Sequence, residues 1–471
     1  MKHLIAALAT CAVVISTYGI GSASAATSGS AFGHRFAHHA SLPSLPPPPP
    51  CTISWTGTSG TGLWTDGGNW DLGRAPGILD VVCIESGTMT PVVLKGGGDP
   101  VKVAALEISG MGHSLTIDSP DSLTISGMFG PSIVSSVVIG GSLVNEAPSA
   151  LLLTGTGVIT DSPPAAPGIL SNFGTLQLDS AMCVSWGATL YNAGSLLLAS
   201  DDMIWNCASG TGTLSNAPSG TISKTLSTGG ASSIDLSFNN SGTVKSLAGE
   251  LEITGSGTDT SALYTTSASG SVEFPTGTVR TFADGSNRIA GTGVVLDGAV
   301  LKGLDADDTL NIIGTLTWIS GAFSGPGALS VAGFLKVTGS GTLGATLPVT
   351  NTGSLSVVTS GATVSLSGAL SDPGKLTLCP TCELDVASLS LKKSSVTTLD
   401  IASTGAGAVT SGGTAALAGA IDAVDTGGFK PPKGKAFTIL AAKTVSGRFA
   451  DGTSNGYVLS YSSTGARLVA A

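Results

Sequence analysis

Asn172-Phe173-Gly174-Thr175-Leu176-Gln177-Leu178 is followed by Asn192-Ala193-Gly194-Ser195-Leu196-Leu197-Leu198. In each stretch an Asn opens a small-residue turn and alternating apolar residues follow. The same phrase begins at Asn145, Asn216, Asn239 and Asn351, and the first four intervals are 27, 20, 24 and 23 residues. A period of about 20–50 residues is the mark of stacked repeats. A turn followed by a period-two strand, with no helix-length segment between phrases, makes each repeat all-β. Two or three short strands and their turns use that many residues, so the chain reads as a β-solenoid. Stacked repeats place Asn over Asn, and amides in that register bond to one another as a ladder.

Composition agrees. Charged residues are 11%, hydrophobic residues 42% and mean hydropathy +0.39. Disorder goes with low hydrophobicity and high charge, so the chain folds. Few aromatics and many small aliphatic side chains suit a narrow stacked interior. The net charge of −10 comes without a basic block, which excludes a nucleic-acid partner as the expectation.

Residues 1–25 read as a signal peptide: Lys2 and His3, an apolar run from Leu4 to Ile20, then the small-residue site Ala23-Ser24-Ala25. Cys11 follows Leu8-Ala9-Thr10 in a faintly lipoprotein-like context, but the apolar run continues through Ile15, which favours ordinary cleavage. No later segment is long and apolar enough to span a bilayer. Six Cys then remain, an even number that reads as disulfides in an exported protein. Proximity favours Cys51–Cys83, Cys183–Cys207 and Cys379–Cys382. The middle pair is separated by one repeat and belongs on adjacent rungs.

Residues 26–50 form a Pro-rich linker that also carries His34, His38 and His39. Residues 51–90 hold Trp55, Trp64 and Trp70, expected as an aromatic cap over the open coil end or as a platform for sugar rings. Residues 91–427 carry the repeats, including Gly-x-Gly phrases at Gly155, Gly210, Gly291 and Gly325. About 15 rungs at about 4.8 Å each would make a rod roughly 70–80 Å long. Residues 428–471 turn Lys-rich and aromatic and are expected as the second cap.

The block Trp55…Trp64…Asn69-Trp70…Pro76…Asp80 resembles the opening motif of exported bacterial β-helix surface proteins. Leu316-Thr317-Trp318-Ile319-Ser320-Gly321 with Ser324-Gly325-Pro326-Gly327 resembles their internal repeat. Pro432–Leu440 and Val445–Phe449 are similar to the closing strands of autotransporter-type and haemagglutinin-like passengers. The resemblance implies an exported rod, and it leaves activity open because such rods serve adhesins, enzymes and spacers. A translocator barrel would need many further strands, so release or non-covalent retention is the expectation.

Catalytic signals are sparse. His113 is the one His beyond the linker and reads as a surface or turn residue, with no nucleophile-elbow context around it. Carboxylates are the better candidates for binding, as Ca²⁺ ligands or acid–base groups. The tightest group is Asp305, Asp307 and Asp308. Asp305 and Asp307 would share a face in a strand, and the competing reading is an Asp-rich turn. Asp201 with Asp202, and Glu250 with Glu252, are similar pairs, with no base expected nearby. Gly339–Gly344 matches GxGxxG without a following helix. Cys379 and Cys382 form a CxxC that reads as a local disulfide and not as a redox or zinc site.

The expected fold is all-β, a right-handed parallel β-helix with an aromatic N-terminal cap and a β-rich C-terminal cap. The expected role is a secreted or cell-surface structural or adhesive rod that contacts glycans or other surfaces. It needs no cofactor (Ca²⁺ is the one candidate), no metal, no nucleic acid and no membrane span in the mature chain. The alternative is a polysaccharide lyase or glycoside hydrolase using surface carboxylates. A third reading, a flat Thr array on a crystalline surface, rests on composition.

Overall fold

The computed structural model describes residues 47–87, 91–96, 99–110, 112–160, 166–208, 210–450 and 453–471. The expected leader, most of the linker and its three His lie outside the described residues.

Alternation dictates the architecture. In Ser142–Asn145, Ile169–Asn172, Thr189–Asn192, Thr213–Asn216 and Ser237–Asn240 the second and fourth residues are buried. These strands stack parallel and in register, one per repeat. They form one of three ribbons. Another runs through Ala150–Leu153, Thr175–Leu178, Ser195–Leu198 and Thr221–Lys224. A third runs through Gly157–Ile159, Met182–Val184, Met203–Trp205, Ala231–Asp235 and Gly249–Ile253. In chain order the ribbons are called first (beginning at Val81–Ile84), second (Val92–Leu94) and third (Val101–Val103). Each strand pairs with the strand one coil later, which is the topology of a parallel β-solenoid of about fifteen turns. At about 4.8 Å per turn the rod is about 70 Å long.

From residue 294 onward the coil tightens. Val294–Gly303 and Thr315–Ser324 run unbroken from the second ribbon into the third. Thr363–Asp372, Glu383–Leu391 and Ala408–Leu417 run from the third into the first. The Gly-x-Gly phrases mark close approach between coils: a Cβ on Gly155 would run into the Ser135 carbonyl. Gly325 adds a left-handed backbone, φ +90°, which only Gly adopts freely.

Inward residues form continuous columns. Leu143, Leu170, Leu190, Leu214 and Phe238 lie one above another, as do Leu151, Leu176, Leu196, Ile222 and Val244. All are buried. Each such side chain contributes about 1.5–3 kcal/mol of transfer free energy, and each coil buries its apolar face only against its neighbours.

The Asn ladder forms as its spacing requires. Asn145 Nδ2 donates to Asn172 Oδ1 at 2.7 Å, and the steps Asn172 to Asn192, Asn192 to Asn216 and Asn216 to Asn240 are each 2.8 Å. The fifth member is Asn240, not Asn239. Phe238 points inward, so Asn239 faces solvent, where its Oδ1 accepts from the Thr258 amide. Asn351 belongs to a different corner, at the end of a first-ribbon strand, and donates to Asp372 Oδ1 at 3.0 Å. Asn192→Ala should cost about 1–3 kcal/mol, because it strands buried amide atoms of Asn172 and Asn216. Faster hydrogen exchange in the strands around residues 169–216, with distant turns unchanged, is the expected readout.

Cys51–Cys83, Cys183–Cys207 and Cys379–Cys382 are all bonded. Cys183 and Cys207 do join adjacent turns, with a Cα–Cα distance of 5.5 Å. Among the described residues the one helical turn is the 3-10 turn Gly67–Asn69, whose Asp66 side chain accepts from the Gly68 amide. No described helix is long and apolar enough to cross a membrane.

The ends differ from the shaft. Trp55, Trp64 and Trp70 are buried beside the first turn, Trp70 meeting the other two edge-to-face at 5.0 and 5.1 Å. At the other end Ala436–Gly447 continues the shaft with its second half. Its first half joins Tyr457–Ser462 and Gly465–Ala470 in an antiparallel sheet.

Candidate functional site

Buried Leu251 and Ile253 turn Glu250 and Glu252 outward on the second ribbon. One coil later Val272 and Phe274 turn Glu273 outward. The register pairs Glu252 with Glu273, and the next coil adds Asp297 at a bulge beside Pro275. Parallel stacking thus gathers four carboxylates. Burial, a hydrogen bond with Glu250 and the nearby charges of Glu250, Asp297 and Glu252 push Glu273 up to about 7. It therefore gains and loses its proton near neutral pH, the condition for a general acid or for sharing a proton with Glu250. Asp297 accepts from Ser320 Oγ at 2.7 Å.

Beside this group lies an open cleft of about 500 Å³, lined by Ser227, Gly230, Ala231, Glu250, Ser269 and Ser271 among others. Glu250 is its one charged lining residue. Below it sits a buried ion pair. Lys224 Nζ donates to Asp201 Oδ1 at 2.7 Å, to Ser232 Oγ at 3.0 Å and to the Ser200 carbonyl at 3.3 Å. Asp201 Oδ2 accepts from the amides of Thr228 and Gly230. Burial works to raise the Asp201 pKa, but the Lys224 ammonium and these donors hold it well below the usual carboxylate range. The expectation of no base near the acid pairs is therefore corrected for Asp201. Lys224 is in register with Leu198, one coil from the Asp201 corner, a proximity that appears only once the coils are stacked. Burial and the charges of Asp179 and Asp201 raise Asp202.

Asp305, Asp307 and Asp308 come together in a turn, not on a strand. Asp305 and Asp307 are exposed, and the buried Asp308 accepts the amides of Leu304 and Asp305 at 3.1 and 2.6 Å. The shared-face argument for Asp305 and Asp307 does not hold, because the strand before them ends at Gly303. His113 is buried and not at the surface, and its Nδ1 has no partner among the described residues. Gly339–Gly344 leads into the strand Thr342–Ala345. The buried Trp55, Trp64 and Trp70 present no stacking face to solvent, which removes the sugar platform from that segment.

Near the first turn the donor atoms of Cys51, Cys83, Glu85 and Glu107 lie within 4.8 Å of one another. The sulfurs are joined to each other, so two carboxylates remain as ligands. Burial and the hydrogen bond with Glu85 raise Glu107.

Sequence reading missed Glu273 and Asp297. The signal was present: Glu252 and Glu273 are separated by one coil, and the repeat period applied to the acids would have paired them. No protein-family model matches the chain, and no curated protein matches it.

Proposed function

We propose that the protein is an exported structural or adhesive rod at the cell exterior, contacting glycans or other surfaces through its flat faces. One observation carries this reading: outward Ser and Thr stack in ranks along the ribbons. Thr175, Ser195, Thr221 and Thr243 form one rank on the first ribbon. On the second ribbon the outward Thr377 and Thr398 stack in the same way. Hydroxyls repeated at about 4.8 Å offer many weak, equivalent contacts, which suit a surface better than a single small molecule. The three disulfides fit an oxidising compartment, reached through the signal peptide at residues 1–25. The Trp cluster and the closing antiparallel sheet cover the two ends of the coil, the role of caps.

A second reading has one specific support. Glu273, pushed up to about 7 beside the 500 Å³ cleft, is a carboxyl of the kind that a polysaccharide lyase or glycoside hydrolase would use as general acid. The carboxylate turn Asp305, Asp307 and Asp308 remains a candidate Ca²⁺-assisted contact. Screening the mature chain on a glycan array with and without Ca²⁺, while monitoring depolymerisation, separates the two. Binding without turnover is expected. Turnover that disappears in Glu273→Gln would replace the rod reading with the enzymatic one.

A further inference from the structure

The charge of the rod is unevenly distributed. Residues 428–471 hold six of the 20 Lys and Arg (Lys430, Lys433, Lys435, Lys443, Arg448, Arg467) but one of the 30 Asp and Glu, Asp451. An acidic shaft thus ends in a basic tip. None of the five ion pairs among the described residues involves these six bases.

The tip also has a shaped surface. In the closing antiparallel sheet Arg467 sits on the central strand, flanked in register by Thr438 on one side and Ser460 on the other. Its neighbours Ala466 and Leu468 are buried, so Arg467 faces solvent. These residues line an open cleft of about 440 Å³ together with Tyr461, Ser462 and Thr464. The Arg448 guanidinium lies over the Tyr461 ring at 5.2 Å, which orders an otherwise free side chain at the same edge.

We propose that this cleft binds acidic polysaccharide, with Arg467 as the principal anion contact and Arg448 as the second. The proposal rests on the adhesive reading and names its ligand class and site. A guanidinium engages a carboxylate or sulfate group through paired N–H donors. The flanking hydroxyls match sugar hydroxyls, and an open cleft lets a polymer chain continue past it. The surrounding lysines steer a polyanion toward the tip while the acidic shaft repels it.

The test measures binding of the disulfide-bonded mature chain to immobilised polygalacturonate (carboxylate), dextran sulfate (sulfate) and dextran (neutral). Binding to one or both charged polymers, weakening with added salt, and loss by about tenfold or more in Arg467→Gln/Arg448→Gln is the expected result. Lys302→Gln/Lys375→Gln on the shaft, at two exposed lysines, should leave affinity unchanged. Unaltered melting of each variant excludes misfolding. Equal binding to neutral dextran, or equal loss in the shaft variant, overturns the proposal. So does an Arg467-dependent self-association that replaces polymer binding. If the array finds adhesion to neutral glycans alone, this site fails while the adhesive reading stands; if no glycan is bound, both fail.

Discussion

Asp259→Ala is expected to cost about 3–5 kcal/mol, because it leaves Arg280 buried without its counter-charge. Asp259 follows Asn240 in register and so ends the Asn ladder. Arg280 occupies the aliphatic column itself, one coil after Gly257 and one before Leu301. The missing side chain at Gly257 makes the room: a Cβ there would stand 3.2 Å from Arg280 Nη1. The guanidinium meets Asp259 at 2.5 and 3.2 Å, the Phe238 carbonyl at 2.6 Å and the Gly255 carbonyl at 3.1 Å, and stacks on the Phe238 ring at 4.9 Å. Tyr264 donates to the same carboxylate at 2.7 Å. Burial works to lower the Arg280 pKa and Asp259 outweighs it; without Asp259 the guanidinium still stays charged, because arginine ordinarily titrates far above neutral pH.

The double variant Asp259→Asn/Arg280→Met should recover most of that loss. The Asn extends the ladder and can still accept from Tyr264, while Met fills the Gly257 gap with an apolar chain. A solenoid need not unfold in one step. Hydrogen exchange in the turns from Ser237 to Gly303 is therefore a better readout than a single melting temperature. A single variant within about 1 kcal/mol of the parent would mean that Arg280 reaches water, and the account of this core would fail.

The architecture was legible in the sequence because it depends on two periodicities, alternation along a strand and recurrence once per coil. Asn145, Asn172, Asn192 and Asn216 satisfied both, so their stacking followed. Asn239 matched the recurrence but not the parity set by Phe238, and parity decided in favour of Asn240. Asn351 shows what a phrase leaves out, since the same turn chemistry serves two corners of the coil. The candidate site was less legible because its members come from different turns. Glu250, Glu252, Glu273 and Asp297 converge only through register, and Asp297 is displaced by a bulge that no spacing announces. Lys224 shares the inward parity of Ile222, but the Asp201 that neutralises it comes from the coil before, so the pair too emerges only on stacking.

Asp372→Asn is expected to stabilise the protein at pH 7, by up to about 3 kcal/mol. Asp372 lies fully buried in a column otherwise occupied by Val331 below Asn351 and by Leu391 above. One carboxylate oxygen accepts from Asn351 and from the Gly374 amide, and the other has no partner among the described residues. Burial, outweighing those two donors, pushes its pKa up from 3.8 to about 6. The native state thus holds the proton more tightly than the unfolded chain. The associated stability is complete below about pH 4 and is lost as pH rises through about 6; two pKa units correspond to about 3 kcal/mol. Asn removes the titration. It also offers a donor toward the Val396 carbonyl, which is in register with the Lys375 carbonyl that Asn351 already uses. Urea midpoints of parent and variant should coincide near pH 4 and separate steadily to pH 7. Subtracting the two curves cancels the titration of the other acids, including Glu273. A difference independent of pH would show that Asp372 is already ionised at low pH and that the carboxylate is hydrated within the rod.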